Sequence, residues 1–176
     1  MRVALAIFAS MPSVAYAHAV VFPKNSAPGA YEKYVLRVPN EKGVPTTRVE
    51  IRFPSNVRVV SFGDVDGWTL EQIRDSSNAI IGAVWTGTLQ PERFVEFPFV
   101  AVNPKETAEL TWPVYQTYAD NDRVAWTGPE GSDKPASSTA IASPSPNAPG
   151  RLGLYLSIVA VALSLISLGL AMRRAA

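Results

Sequence analysis

Between residues 18 and 130 the sequence is broken roughly every ten residues by Pro, Gly, Asn or Asp, and the stretches between are short and β-prone. They read "AVVF", "YVLRV", "RVEIRF", "VRVVSF", "WTLEQI", "IIGAVWT", "RFVEFPFVAV", "AELTWPVYQTY" and "RVAWTG". Within one of them Val49, Ile51 and Phe53 fall on one side of a strand and Arg48, Glu50 and Arg52 on the other. Such spacing predicts an all-β fold, an immunoglobulin-like β-sandwich of about seven to nine strands. Pro98 interrupts the longest run and predicts an edge strand or a bulge there. No cysteine is present to staple a domain this small. The core must come from aromatic and branched aliphatic side chains, and 7 Phe, 6 Tyr and 4 Trp supply it.

The two ends are apolar for different reasons. Residues 1–17 run from Arg2 through "VALAIFA" to Ala15-Tyr16-Ala17, the charged start, short apolar run and small-x-small finish of a secretory signal peptide. Leu152 to Met172 carries no charge and is followed by Arg173 and Arg174. It has the roughly 20 residues that a transmembrane helix needs, and the arginines favour a cytoplasmic end. Residues 131–151, rich in Pro, Ser and Ala, read as a flexible linker between a domain at 18–130 and a helix at 152–172, with 173–176 as a cytoplasmic tail. The expected place is extracytoplasmic, periplasmic or at the cell surface, with membrane attachment through the C-terminal helix.

Several functions are excluded by what is missing. A formal net charge of +1 with scattered bases argues against nucleic acid. Absent cysteine removes thiol catalysis and thiolate metal sites. Neither a phosphate-binding glycine loop nor a Gly-x-Ser-x-Gly turn occurs. Glu92 and Glu96 read as strand and turn decoration rather than a hydrolytic carboxylate pair. No enzyme is expected.

The only histidine, His18, directly follows the expected cleavage site. As residue one of a processed chain it offers a free α-amine and ring Nδ1 to one metal ion in a six-membered chelate ring. That geometry exists only at a first residue, because elsewhere the nitrogen is an amide. Two nitrogens in one plane suit Cu(II), with Zn(II) or Ni(II) as weaker fits. The methionines are Met1, Met11 and Met172, so residues 18–130 hold no soft sulfur ligand for Cu(I). A carboxylate completes the set, and Glu50 and Glu71 are the two candidates. Trp68, Trp85, Trp112 and Trp126 are core or rim aromatics, any of which can roof an open metal site.

"HAVVFPKNSAPGAYEKYVLRVPNEKGVPTTRVEIRFP", "GWTLE", "PERFVEFPF" and "YQTYADNDRVAWTGPEGSDKPA" together resemble the YcnI-like copper-binding family, over residues 18–135. The resemblance implies an extracytoplasmic Ig-like domain that binds one Cu(II) through a mono-histidine brace: the N-terminal histidine, a glutamate and a nearby tryptophan. Carried over, the histidine is His18, the tryptophan is Trp126, and the glutamate is Glu50 or Glu71. It also implies a metallochaperone or acquisition role beside a copper transporter or copper-resistance protein. One departure stands in "ADNDRVAW", where Asn-Asp replaces an expected Asp-Gly turn. Two other readings compete: a copper-dependent oxidase, weakened by the lack of a second histidine, and a structural or adhesive module on a stalk.

Overall fold

In the computed structural model the alternation along 48–53 becomes one strand of a sandwich whose core lies between two main sheets. Residues 18–143 and 150–175 are described; the expected signal peptide lies outside the described residues, as does the stretch 144–149 of the expected linker. The first sheet has four strands in the order β1 (Val20–Phe22), β3 (Tyr31–Asn40), β8 (Arg93–Val102), β5 (Arg58–Phe62). The second has five, β11 (Arg123–Trp126), β10 (Val114–Tyr118), β4 (Thr46–Arg52), β7 (Ile80–Leu89), β6 (Thr69–Arg74). A small third sheet joins β2 (Asn25–Ser26), β12 (Ser137–Ile141) and β9 (Ala108–Trp112).

The all-β sandwich is as expected, and the inward residues close it. Trp85 of β7 stacks on Phe97 of β8 across the core, centroids 4.5 Å apart. Phe99 stacks on Tyr34 at 5.5 Å and meets Trp112 edge-on at 5.8 Å. All five of these side chains are buried, and each aromatic removes 150–250 Å² from water by rough estimate. No disulfide is needed to hold such a core.

Three expectations on the strands change. "AELTWPVYQTY" is two strands, β9 and β10, in different sheets, because the chain turns from one sheet to the other at Pro113. Pro98 lies in an interior strand rather than an edge. It is tolerated because the β5–β8 pairing ends at Phe62↔Phe99, one residue short of it, after a bulge between Val59 and Ser61. β12 falls inside the stretch expected as linker. Its inward Ser137, Thr139 and Ile141 are buried, and the hydroxyls are satisfied. Ser137 Oγ accepts from the Val21 amide, and Thr139 Oγ1 accepts from the Trp112 indole while donating to the Pro23 carbonyl.

The chain divides into two compact units, Met1–Ala142 and Ser143–Ala176. In the second, α1 (Gly150–Ala175) takes in the whole uncharged run from 152 to 172. Counted over the described residues alone, no helix is long and apolar enough to cross a membrane.

Candidate metal centre

His18 sits two residues ahead of β1, half-buried, and its imidazole meets the indole of Trp126 edge-on, centroids 5.4 Å apart at 70°. Trp126 ends β11, opposite Val114 of β10, which is in turn opposite Ile51 of β4. All three point to the core side of the five-stranded sheet and are buried. The structure therefore brings together two of the residues expected from sequence.

It does not bring Glu50 or Glu71 to them. Glu50 pairs with Tyr115 and Val84, and Val84 pairs with Glu71, so both carboxylates stand on the outward face of that sheet. Trp126 and its row stand on the other. Glu50 is nonetheless only 4% exposed, because arginines cover it. Arg48 Nη1 donates to Oε2 at 2.7 Å, Arg52 donates to Oε1 through Nε and Nη2 at 2.9 and 2.7 Å, and Arg123 Nη2 lies 3.6 Å from Oε2. Burial pushes its acidity down, but the bonds and charges of Arg48 and Arg52 outweigh burial and hold the carboxyl below its usual range.

A prediction follows from that cluster. Glu50→Gln removes the anion and leaves three cations; since these are half-exposed and can rehydrate, the loss is about 1–3 kcal/mol. The folded-state value is depressed, so this stabilisation is complete above the unfolded value of 4.5 and is lost as pH falls through the folded one. Urea unfolding at pH 7 is expected to separate the two proteins, and the gap is expected to close in acid.

A different carboxylate shares the surroundings of Trp126. A cleft of about 240 Å³ is lined by Pro39, Glu41, Lys42, Tyr118, Asp122 and Trp126, among others. Glu41 lies in the turn after β3, a position with no strand periodicity to draw attention to it. Two buried amides build the frame around it. Asn40 donates to the carbonyls of Val44 and Leu89 at 2.9 and 3.0 Å and accepts from the Lys42 amide at 3.0 Å, which fixes the turn. Gln116, fully buried on β10, donates to Pro39 O at 2.9 Å and Thr46 Oγ1 at 2.8 Å, and accepts from the Trp126 indole at 3.3 Å. One side chain thus ties the end of β3, the start of β4 and the tryptophan together.

The rim of the cleft is charged. Lys42 Nζ bonds Asp122 at 2.5 Å, lies 3.8 Å from Asp120, and stands 4.6 Å from the centre of the Tyr118 ring. The hydrogen bond to Asp122 raises the lysine, and the same contact lowers the aspartate. Burial, then the charges of Asp122, Glu41 and Asp120, push the Tyr118 phenol up to about 12, so it stays protonated at neutral pH.

Among the described residues no group of three or more His, Asp or Glu side chains is gathered for a metal. The donors at this place are the imidazole and backbone of residue 18 and, in the cleft that Trp126 lines, the carboxylates of Glu41 and Asp122, the latter already paired with Lys42. That set fits an ion bound by an N-terminal chelate and does not fit a cage of side chains.

Comparison with known proteins agrees with the fold. Copper-binding protein CutI of Bacillus subtilis is 38% identical over 131 residues, covering 73% of this chain and 64% of that protein. The chain thus spans just under two thirds of that relative's length. An uncharacterised protein from Nocardia farcinica, whose crystal structure has an immunoglobulin-like fold, superposes with a TM-score of 0.63 at 27% identity, over 72% of this chain and 99% of that one. The model of a domain of unknown function, DUF1775, matches residues 18–148 and so begins at the histidine itself. The chain belongs to this DUF1775 family, the family of the YcnI-like proteins that its sequence resembles.

Proposed function

We propose that this chain is an extracytoplasmic copper-binding protein that carries Cu(II) and does no chemistry on it. After cleavage behind Ala17, the amine and imidazole of His18 chelate the ion, the Glu41 carboxylate supplies oxygen, and the Trp126 indole roofs the site. The observation that carries this reading is the edge contact of His18 with Trp126, whose ring also lines the cleft holding Glu41. A relative that is itself named a copper-binding protein supports the choice of metal. Glu41 takes the role for which sequence left Glu50 and Glu71 open, because those two stand on the far side of the sheet. A single histidine supports a carrier over an oxidase, and an open site with few donors suits release to a copper transporter or copper-resistance protein.

Tethering belongs to the same proposal. α1 has 26 residues, about 39 Å at 1.5 Å each, against a hydrocarbon core of about 30 Å. Tyr155, Leu156, Ile158, Val159, Val161, Leu163 and Leu165 are all exposed and take up more than half of the helix's circumference, and the remaining strip carries the small side chains Ser157, Ala160 and Ser164. The Ser164 hydroxyl is satisfied within the helix by the Ala160 carbonyl. A helix with no charged side needs a covering, and a bilayer provides one.

The test begins with N-terminal sequencing of the exported chain, then Cu(II) titration at neutral pH followed by paramagnetic resonance. The expected result is a start at His18, one ion per chain and two nitrogen donors. Glu41→Gln is expected to weaken binding by about tenfold or more, on the order of 1.4 kcal/mol. Glu50→Gln and Glu71→Gln are expected to leave affinity unchanged. Absence of stoichiometric binding would instead favour the structural module on a stalk.

A further inference from the structure

The outward face of the four-stranded sheet is dressed for contact, and nothing in the described unit covers it. Phe94 on β8 is 61% exposed and Phe22 on β1 is 37% exposed. Between them lies Arg37 of β3, its guanidinium carbon 5.0 Å from the Phe22 centroid and 5.3 Å from that of Phe94. Glu96 of β8, directly opposite Arg37, holds the same guanidinium by its Nε at 2.9 Å and Nη2 at 2.7 Å. The arginine is thereby fixed by two rings and a carboxylate. Rigid arginine and aromatic side chains in one patch are what the centres of protein interfaces are enriched in, and prior ordering lowers the entropy lost on binding.

Beside this patch is a hollow of about 390 Å³ lined by Lys33, Val35, Asp64, Asp66, Glu96 and Pro98, among others. Its floor continues the patch, since Val35 pairs with Phe22 on one side and Pro98 on the other. Its rim is the loop after β5, where Asp64 and Asp66 are exposed. Three carboxylates face one lysine, so the hollow is acidic even after Arg37 is set against Glu96.

We propose that this face docks a second protein, through a Lys or Arg of that partner set among apolar residues. The basic group enters the hollow toward Asp64 and Asp66, and the apolar neighbours cover Phe22, Val35, Pro98 and Phe94. Charge decides against the other occupants. The cations of the patch are already engaged, Lys24 at 5.9 Å from the Phe22 centroid and Arg37 against that ring and Glu96. The free carboxylates of the hollow therefore repel an anionic lipid surface and the same hollow of a second copy.

Position gives the docking a use, and this step rests on the copper reading. Phe94 is paired with Pro39, and Pro39 also lines the cleft with Glu41 and Trp126. Phe22 is four residues from His18, about 13 Å of extended chain. A partner seated here reaches the rim of the proposed copper site, where transfer is made.

The test uses the full chain, exported by its own cells, with the photo-crosslinking residue p-benzoylphenylalanine in place of Phe94. Thr86, exposed on the outward face of the other sheet, carries the same probe as a control. The expected result is an adduct with a different protein, mapped by mass spectrometry to within a few residues of a Lys or Arg flanked by apolar side chains. Asp64→Lys with Asp66→Lys is expected to cut its yield at least fivefold without altering copper affinity. Adducts no stronger than at Thr86, adducts with lipid, with a second copy or with an acidic segment, or a yield indifferent to the charge reversal would each overturn the proposal. His18→Ala separates the two readings, since docking predicts that its adduct persists whether or not the chain binds copper.

Discussion

An acetyl cap on the α-amine of a chain beginning at His18 is expected to weaken Cu(II) binding at least a hundredfold, about 2.8 kcal/mol. The cap turns the amine into an amide and opens the chelate ring, leaving a lone imidazole to hold the ion. His18→Ala removes the other half of the ring and is expected to cost as much. Neither change threatens the fold, because the first strand starts at Val20 and, among the described residues, the ring of His18 makes its aromatic contact with the edge of Trp126 alone. Titration with paramagnetic resonance reports the effect, and circular dichroism with a thermal melt confirms that the sandwich is intact. Unchanged affinity in the capped chain would show that the amine is not a donor, and the N-terminal chelate would have to be abandoned.

That prediction was accessible from sequence because it depends on position along the chain and on nothing else. Strand periodicity was equally accessible. Arg48, Glu50 and Arg52 alternate with the core residues Val49 and Ile51 in sequence and stand on the outward face in the fold. What no single strand records is which outward direction leads to the metal. Glu50 faces away from the core, but His18 approaches from the side on which Trp126 lies, and this depends on how β1 is placed against β11 across the sandwich. The carboxylate at the cleft, Glu41, belongs to a turn and has no period to betray it, although it stands inside the stretch that carries the family resemblance. β12 was hidden for another reason. Two of its three buried positions are Ser137 and Thr139, which composition alone assigns to a solvated linker. Their burial is tolerable only because the backbone of β1, the indole of Trp112 and the Pro23 carbonyl complete their hydrogen bonds.

The outward arginine cluster and the buried amides also divide the labour of the five-stranded sheet. Glu50 with Arg48, Arg52 and Arg123 is a stabilising device on the face away from the cleft. Removing its charge is expected to move the unfolding midpoint and not the copper isotherm. Glu41 is expected to do the reverse. The pair therefore tests whether stability is carried by the outward face of the five-stranded sheet and binding by the cleft that Trp126 lines.

Gln116→Leu is expected to damage both. Leucine nearly preserves the volume but removes three hydrogen bonds, stranding the buried Trp126 indole N–H and Thr46 hydroxyl and releasing the half-buried Pro39 carbonyl. An unsatisfied buried group costs about 1–3 kcal/mol, and because neighbouring losses are not additive the total is expected near 3–5 kcal/mol. Urea unfolding should show it as a lower midpoint at constant slope. Copper affinity should fall as well, since the indole and the chain leading to Glu41 lose their common support. The link to Trp126 is separable: Trp126→Phe removes the donor, so it should cost about 1 kcal/mol less on the Gln116→Leu background than alone. Equal costs on the two backgrounds would mean that the glutamine and the indole are independent, and Gln116 would then be an ordinary core residue with no part in holding the roof of the site.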